Sequence, residues 1–501
     1  VNTSLNARRR ARDLAGAEQG VVDVLVVGGG VTGAGVALDA ASRGLSVVLA
    51  EANDLAFGTS RWSSKLIHGG LRYLANGDVG IAYESAVERG IVMTRTAPHL
   101  TRPLPQLVPL HDGVPGALTL TGLHAGDLLR RLARTPSALL PRPRRVPAAE
   151  ALALAPGLRR EGLRGGLLSY DGQVIDDARF VVALARTAAG FGAKILTRTK
   201  AVSLDGGGAR LRDTLTGAEF DVRARKVINA TGVWAGQLVP SVRLRPSRGT
   251  HIVLAGTALT GTGLTSTSLT VPIPGSRNRF VLVLPQLDGR VYVGLTDEPV
   301  DGEIPDVPAV PDSDVDFLLS AASSVLERPL TRADVLGAFA GLRPLLDADG
   351  SSADLSRRHA VLTADNGVIT VVGGKFTTYR RMAADAVDAT KLTTVSARTK
   401  DIPLVGATAR ARLTRIDAPA RLIAKYGTEA AAVAELDQTT LHPELTVAEV
   451  IWAIEHEGAL DAEDVLHRRS RVGLVSAEAN CLVDIVSGYA GANPANHSRG
   501  S

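Results

Sequence analysis

Residues 23–51 read DVLVVGGGVTGAGVALDAASRGLSVVLAE, and this stretch restricts the fold more than any other. Val24 to Val27 form an apolar run of the kind found in a strand buried on both faces, and Gly28, Gly30 and Gly33 follow in the order G-x-G-x-x-G. Gly28 permits a tight turn, Gly30 lets backbone approach a pyrophosphate, and Gly33 allows a helix to lie close on the sheet. The helix N-terminus then faces the phosphates with unpaired N–H groups and a favourable dipole. LSVVLA is a second buried strand ending in Glu51, where a carboxylate binds the hydroxyls of an adenosine ribose and repels a 2′-phosphate. A lone glycine motif is weak, but strand, turn, helix and acid in this order define a dinucleotide-binding unit.

The chain has 501 residues, beyond the span of one hydrophobic core, so two or three domains are expected. Its single cysteine, Cys481, excludes an intramolecular disulfide framework and fits a reducing compartment. No window has the apolar length of a membrane-spanning helix, and the N-terminus lacks a secretory apolar core. Cytoplasmic placement is expected, with contact at the inner face of the membrane left open. A net charge of +5 fits an anionic substrate, a membrane surface or nucleic acid. Much of it is local, in Arg8, Arg9, Arg10 and Arg12 and in Arg142, Arg144 and Arg145. Without interleaved aromatics these runs argue against nucleic acid.

Residues 1–20 read as a flexible basic arm. TSRWSSKLIHGGLRYL, residues 59–74, is dense in hydroxyls, glycines and cations, the composition of a ligand-contacting loop. A helix is predicted from about Ile81 to Arg95, and LHAGDLLRRLA can form an amphipathic helix before the breaker PRPRRVP. GLLSYDGQVIDDARFVVALARTAAGFGAKIL then reads as a second β-α-β-like segment, its helix opened by Asp176 and Asp177. FDVRARKVINATG supplies a buried strand ending in Ala230, Thr231 and Gly232, where a parallel sheet brings backbone close to a cofactor. From His251 to about Glu298 the signals are those of antiparallel hairpins. VITVVGGKFTTYRR returns as strand, glycine turn and helix, carrying Lys375.

The fold expected is α/β: a Rossmann-type nucleotide domain over 21–396, with an antiparallel substrate sheet inserted at about 76–160 and 245–335. A linker at 397–409, a C-terminal helical domain at 410–490 and a disordered tail at 491–501 complete the division. No metal site is expected.

A first-strand glycine motif answered by a late ATG strand and an inserted antiparallel sheet favours flavin over nicotinamide. VVGGGVTGAG, TSRWSSKLIHGGLRYL, APHL, VIDDAR, VINATGVWA, RGTHIVL, VGLTDEP, GLRPLL and GGKFTTYR together resemble the FAD-dependent glycerol-3-phosphate dehydrogenases of the amino-acid-oxidase-like flavoprotein group. The most specific of these is SSKLIHGGLRYL. The resemblance implies noncovalent FAD, its adenosine diphosphate half held by Gly28, Gly30, Gly33 and Glu51, with Val202 and Thr231 on the adenosine side. Thr59, Ser63, Ser64, Lys65, His68 and Gly69 would line the riboflavin half, and Gly373, Gly374, Lys375, Phe376 and Thr377 the pyrimidine end. Arg72, Tyr73, His251, Arg343, Arg357 and Lys375 would form the substrate pocket.

Glycerol 3-phosphate is a small dianion that demands cations, each charge-assisted hydrogen bond being worth about 1.5–3 kcal/mol. Its oxidation to dihydroxyacetone phosphate removes the O2 proton and passes the C2 hydride to flavin N5. His251 is the preferred base, with Arg343 and Lys375 as electrostatic partners and Lys375 as the alternative base. A membrane quinone is the expected electron acceptor and a homodimer an open possibility. An oxygen-using oxidase, an amino-acid oxidoreductase of the same flavin fold and a flavin-dependent tRNA-binding protein are the rival readings.

Overall fold

The computed structural model describes residues 2–70, 73–74, 77–111, 116–260, 266–273, 279–347 and 358–491. Two sheets dominate them. The first contains β1 (Val21–Val27), β2 (Val47–Ala50), β7 (Lys194–Leu196), β8 (Thr199–Asp205), β9 (Gly208–Asp213), β10 (Glu219–Asn229), β17 (His359–Thr363) and β18 (Ile369–Gly373). Its order is β17-β18-β10-β1-β2-β7, with β9 beside β10 and β8 beside β9. The central pairs β10–β1, β1–β2 and β2–β7 are parallel, which explains the unbroken apolar runs. Val24, Leu25 and Val26 are fully buried.

The helix Val31–Ser42 starts at Gly30 and packs against the helices Asp177–Gly190 and Tyr379–Thr390, closing the largest core cluster. A Cβ on Gly33 would stand 1.8 Å from the Gly28 carbonyl oxygen, so only glycine lets this helix approach its own turn.

The second sheet contains β3 (Leu66–Ile67), β4 (Thr101–Pro109), β5 (Arg144–Val146), β6 (Gly166–Val174), β11 (Ser247–Ala255), β12 (Ser268–Pro272), β13 (Phe280–Pro285), β14 (Arg290–Gly294), β15 (Glu298–Pro299) and β16 (Val335–Arg343). They run β15-β11-β14-β13-β12-β4-β6-β3, with β16 on β11 and β5 on β6. One face buries Ile252, Leu254, Val283 and Val293 against the helix Asp312–Ser323. Here the sequence reading needs correction. β6 does not open a second β-α-β unit in the nucleotide sheet; it pairs antiparallel with β4 from Thr101↔Val174 to Pro109↔Gly166. A run buried on both faces carries no mark of which sheet it joins.

The basic N-terminus is not a flexible arm. Ala7–Ala15 is helical, capped by Asn6, and two of its four cations point inward: Arg10 pairs with Asp213 at 2.6 Å, and Arg9 pairs with Asp13 and donates to the Ala189 carbonyl, while Arg8 and Arg12 are exposed. Residues 410–491 are mainly short helices around two clusters, one with Val450 and Leu466, the other with Tyr426 and Trp452. Of the expected tail, 491–501, Gly491 ends a helix and 492–501 lie outside the described residues. Among the described residues no helix is long and apolar enough to cross a membrane.

Candidate active site

A cavity of about 1880 Å³ separates the two sheets. It exceeds the roughly 300–1,000 Å³ of a pocket for one small ligand, leaving room for a dinucleotide and a further small molecule.

At the nucleotide end Gly28 and Gly30 form the wall with bare backbone, and the helix beginning at Val31 has no side-chain cap from its own N-cap residue. Ser60, absent from the sequence expectation, accepts the Val31 N–H at 2.9 Å on this wall. Glu51 accepts the N–H groups of Gly29 at 2.6 Å and Asn53 at 2.8 Å, and burial raises its pKa. Thr231 also lines the cavity, its hydroxyl donating to Asn229. Two expected contacts differ. Gly33 packs under the turn without reaching the cavity, and Val202 lies off the wall with an exposed side chain, beside a register irregularity, while its neighbours Thr199, Lys200 and Ala201 line the cavity.

The loop after Gly58 is held from behind by Asp177, the first residue of its helix. Asp177 accepts the Ser63 N–H at 3.1 Å and the Ser63 hydroxyl at 2.6 Å, and it pairs with Lys65 Nζ at 2.9 Å. Lys65 therefore does not line the cavity. It is buried, its ammonium also bonded to the Arg61 carbonyl at 2.6 Å, because an unpaired carboxylate at this depth would be costly. Gly69 is likewise off the wall: its N–H donates to Asp171, and a Cβ there would meet the Arg89 guanidinium at 2.4 Å. Thr59, Ser63, Ser64 and His68 do face the cavity, as do Gly373, Gly374, Lys375, Phe376 and Thr377. Thr59 donates to the Leu342 carbonyl at 2.7 Å, and Thr377 accepts the His68 N–H at 3.2 Å. The loop and the return turn thus meet.

Tyr73, His251, Arg343 and Lys375 line the same cavity. Lys375 Nζ stands 3.7 Å from the centre of the Tyr73 ring and donates to Ser85 Oγ at 2.6 Å. Arg343 pairs with Asp297 at 2.9 Å and donates to Ser247 at 3.1 Å and to the Thr296 carbonyl at 3.2 Å. His251 stacks on Phe339 at 4.9 Å, and its Nε2 lies 2.9 Å from Ser64 Oγ. A Cβ on Gly294 would overlap the imidazole at 2.2 Å, so the glycine of VGLTDEP makes space for this ring. Burial, with the charges of Lys65 and Arg343 adding, pushes the His251 pKa down to about 3. Arg72 and Arg357 lie outside the described residues.

Asp177, Asp297 and Ser85 are supporting residues that the sequence reading did not assign. The two aspartates sit inside VIDDAR and VGLTDEP, whereas nothing in the sequence marks Ser85. Among the described residues no cluster of His, Cys, Asp and Glu could hold a metal.

Residues 23–380 match the family model described as FAD dependent oxidoreductase, and residues 397–489 match the C-terminal domain of alpha-glycerophosphate oxidase. Glycerol-3-phosphate dehydrogenase 1 of Mycobacterium tuberculosis is 50% identical over 97% of this chain and 98% of its own length. The chain belongs to the FAD-dependent glycerol-3-phosphate dehydrogenase family. Glycerol-3-phosphate dehydrogenase 2 of the same organism is 38% identical, covering 90% of this chain and 81% of the relative. Among solved structures, the glycerol-3-phosphate dehydrogenase from Bacillus halodurans complexed with FAD has a TM-score of 0.75 and 26% identity, covering 99% of this chain and 96% of that one. The nucleotide end fits the dehydrogenase family's FAD on its own geometry, since bare glycine backbone, a helix N-terminus and a buried carboxylate share one wall.

Proposed function

We propose that this protein oxidises sn-glycerol 3-phosphate to dihydroxyacetone phosphate and passes the electrons to a membrane quinone. The observation that carries the reading is that Arg343, Lys375, Tyr73 and His251 line one cavity, bringing cations and a neutral imidazole to it. Gly28, Gly30, Glu51 and Thr231 would hold FAD noncovalently, and the bound flavin would supply the hydride acceptor. Arg343 and Lys375 bind the phosphate dianion and stabilise the developing alkoxide. His251 takes the O2 proton on Nε2, the ring nitrogen that reaches Ser64. Its low pKa keeps the ring unprotonated before substrate enters, and two negative charges beside it raise its proton affinity when base action is required.

The quinone half rests on the surface of the helix Gly116–Leu132. Leu118, Leu128 and Leu132 are each more than half exposed, and Val79 and Tyr83 of the adjoining helix extend the apolar area. Leu118 and Leu123 also line the cavity, so this apolar surface adjoins it. Arg130 does not contribute to it, being buried on Asp127 and the Thr135 carbonyl; Arg131 and Arg144 are exposed but paired with Asp127 and Glu150. Arg134, Arg142 and Arg145 are exposed as well, so peripheral attachment at the cytoplasmic face would combine this apolar area with those three cations.

Anaerobic addition of glycerol 3-phosphate is expected to bleach the flavin spectrum, and a panel of amino acids is expected to leave it unchanged. Reoxidation is expected to be faster with a soluble quinone than with dissolved oxygen. Bleaching followed by rapid peroxide formation would keep the substrate and replace the quinone by oxygen.

A further inference from the structure

The loop 51–59 has two faces. Glu51, Ala52, Asn53, Phe57, Gly58 and Thr59 line the cavity, whereas Asp54, Leu55 and Ala56 turn away from it and are fully buried. Asp54 enters the C-terminal domain. Its Oδ2 accepts Arg468 Nε and Arg469 Nη1, both at 2.7 Å, and its Oδ1 accepts Arg469 Nη2 at 2.9 Å. All three side chains are excluded from solvent.

The same segment holds the rest of the active-site frame. Arg198, whose N–H donates to the Asn53 carbonyl at 2.7 Å, pairs with Asp461 and Asp464. Arg179, from the helix that carries Asp177, pairs with Glu457 and donates to the Arg469 carbonyl at 2.8 Å. Arg471 turns the opposite way, to Gln286 and Asp288 of the β13–β14 hairpin, each at 3.0 Å. The run HRRSR thus ties the nucleotide loop to the sheet that carries His251, although neither Arg468 nor Arg469 reaches the cavity.

We propose that segment 457–471 is a cofactor latch: its arginines position the nucleotide loop through Asp54, so FAD binding and docking of this segment stabilise each other. The inference rests on FAD as the cofactor. A carboxylate shared by two guanidiniums is worth burying only when all three are in place, so the loop order that FAD requires and the docked segment form as a unit. Coupling of this kind is reciprocal. Asp54, Arg468 and Arg469 are positioning residues.

Hydrogen exchange on the full chain tests the latch without a mutation. FAD, its uptake followed by visible absorption, is expected to slow exchange in peptides covering 459–471 by at least threefold and to leave 410–425, in the same domain, unchanged. Asp54→Asn is expected to weaken FAD binding to the stripped protein at least tenfold and abolish that protection. Glu429→Gln, which breaks the separate Arg186–Glu429 contact between the domains, is expected to keep the dissociation constant within twofold. FAD uptake with unchanged exchange at 459–471 would overturn the latch, as would a folded Asp54→Asn protein with wild-type affinity. Failure of the wild-type chain to take up FAD would instead sink the cofactor reading.

Discussion

Replacing Arg343 by alanine tests the substrate reading most directly, and its cost follows from the residue's partners. The guanidinium provides a cation to the cavity and neutralises Asp297, which is buried and bonded besides to the Ser247 hydroxyl. Losing one charge-assisted bond to the phosphate removes about 1.5–3 kcal/mol, and at 1.4 kcal/mol per decade that is roughly a 10- to 150-fold fall in kcat/KM. The alanine variant also uncovers Asp297, whose negative charge then repels the dianion. Two effects of the same sign predict a loss at or above the upper end of that range. The contributions separate in a second variant: Arg343→Ala with Asp297→Asn removes the repulsion and is expected to recover at least threefold. Anaerobic steady-state turnover with a dye acceptor measures both, and flavin absorbance checks that FAD content is retained. An Arg343→Ala enzyme within twofold of wild type would remove Arg343 from the substrate pocket. A double variant worse than the single one would show that Asp297 supports the cavity by some means other than balancing Arg343.

Gly33→Ala is expected to cut FAD content severely and lower the Tm, since the added methyl meets a carbonyl oxygen at 1.8 Å; Gly80→Ala, with nothing within 4 Å, is expected to leave both at or above wild type. Glu51→Gln is expected to weaken FAD at least tenfold in titrations of stripped protein, by losing the anionic acceptor for the ribose hydroxyls. His99 is buried, with its pKa pushed down to about 3, so the unfolded chain binds a proton that the folded one refuses. Its contribution is complete above the unfolded value of about 6.5 and falls as pH drops toward 3; between pH 7 and 5 a His99→Gln variant is expected to lose about 2 kcal/mol less stability than wild type in urea titrations. Denaturation is expected to release all flavin into the supernatant, and colour left on the precipitate would refute noncovalent binding.

The parts of the molecule legible in the sequence are those where one physical demand dominates a short window. VLVVGGGVTGAG can satisfy burial, a tight turn and helix approach in only one way, and the structure has that way, down to the Gly33 contact with the Gly28 carbonyl. The hairpins after His251 declare themselves by short apolar runs on either side of the Asp288–Gly289 turn, and they pair as antiparallel strands. The misread segments are those whose partners are distant in sequence. β6 mixes apolar and polar residues and leads into an apolar helix as the first strand of a β-α unit would, and only its pairing with β4 assigns it to the other sheet. The N-terminal arginines look like a solvated run, yet Arg10 meets Asp213, some two hundred residues on.

Lys65 shows why a charge in a ligand loop is ambiguous in a way that a glycine is not. A cation in SSKLIHGG can face the cavity or neutralise an acid behind the wall, and the loop sequence is the same in both cases. What decides is Asp177, buried at a helix start where it takes the Ser63 hydroxyl and backbone N–H. With one buried carboxylate already committed to shaping the loop, the nearest cation must turn inward. The same logic governs Asp171 with Arg89, Asp54 with Arg468 and Arg469, and Asp297 with Arg343. Each carboxylate fixes a segment of the active-site frame, and each draws in a cation that the composition alone would have assigned to a partner molecule. A net charge of +5 is therefore a poor guide to what this protein binds, whereas the cations that reach the cavity wall, Lys200, Arg279, Arg343 and Lys375 among the residues described, are a better one.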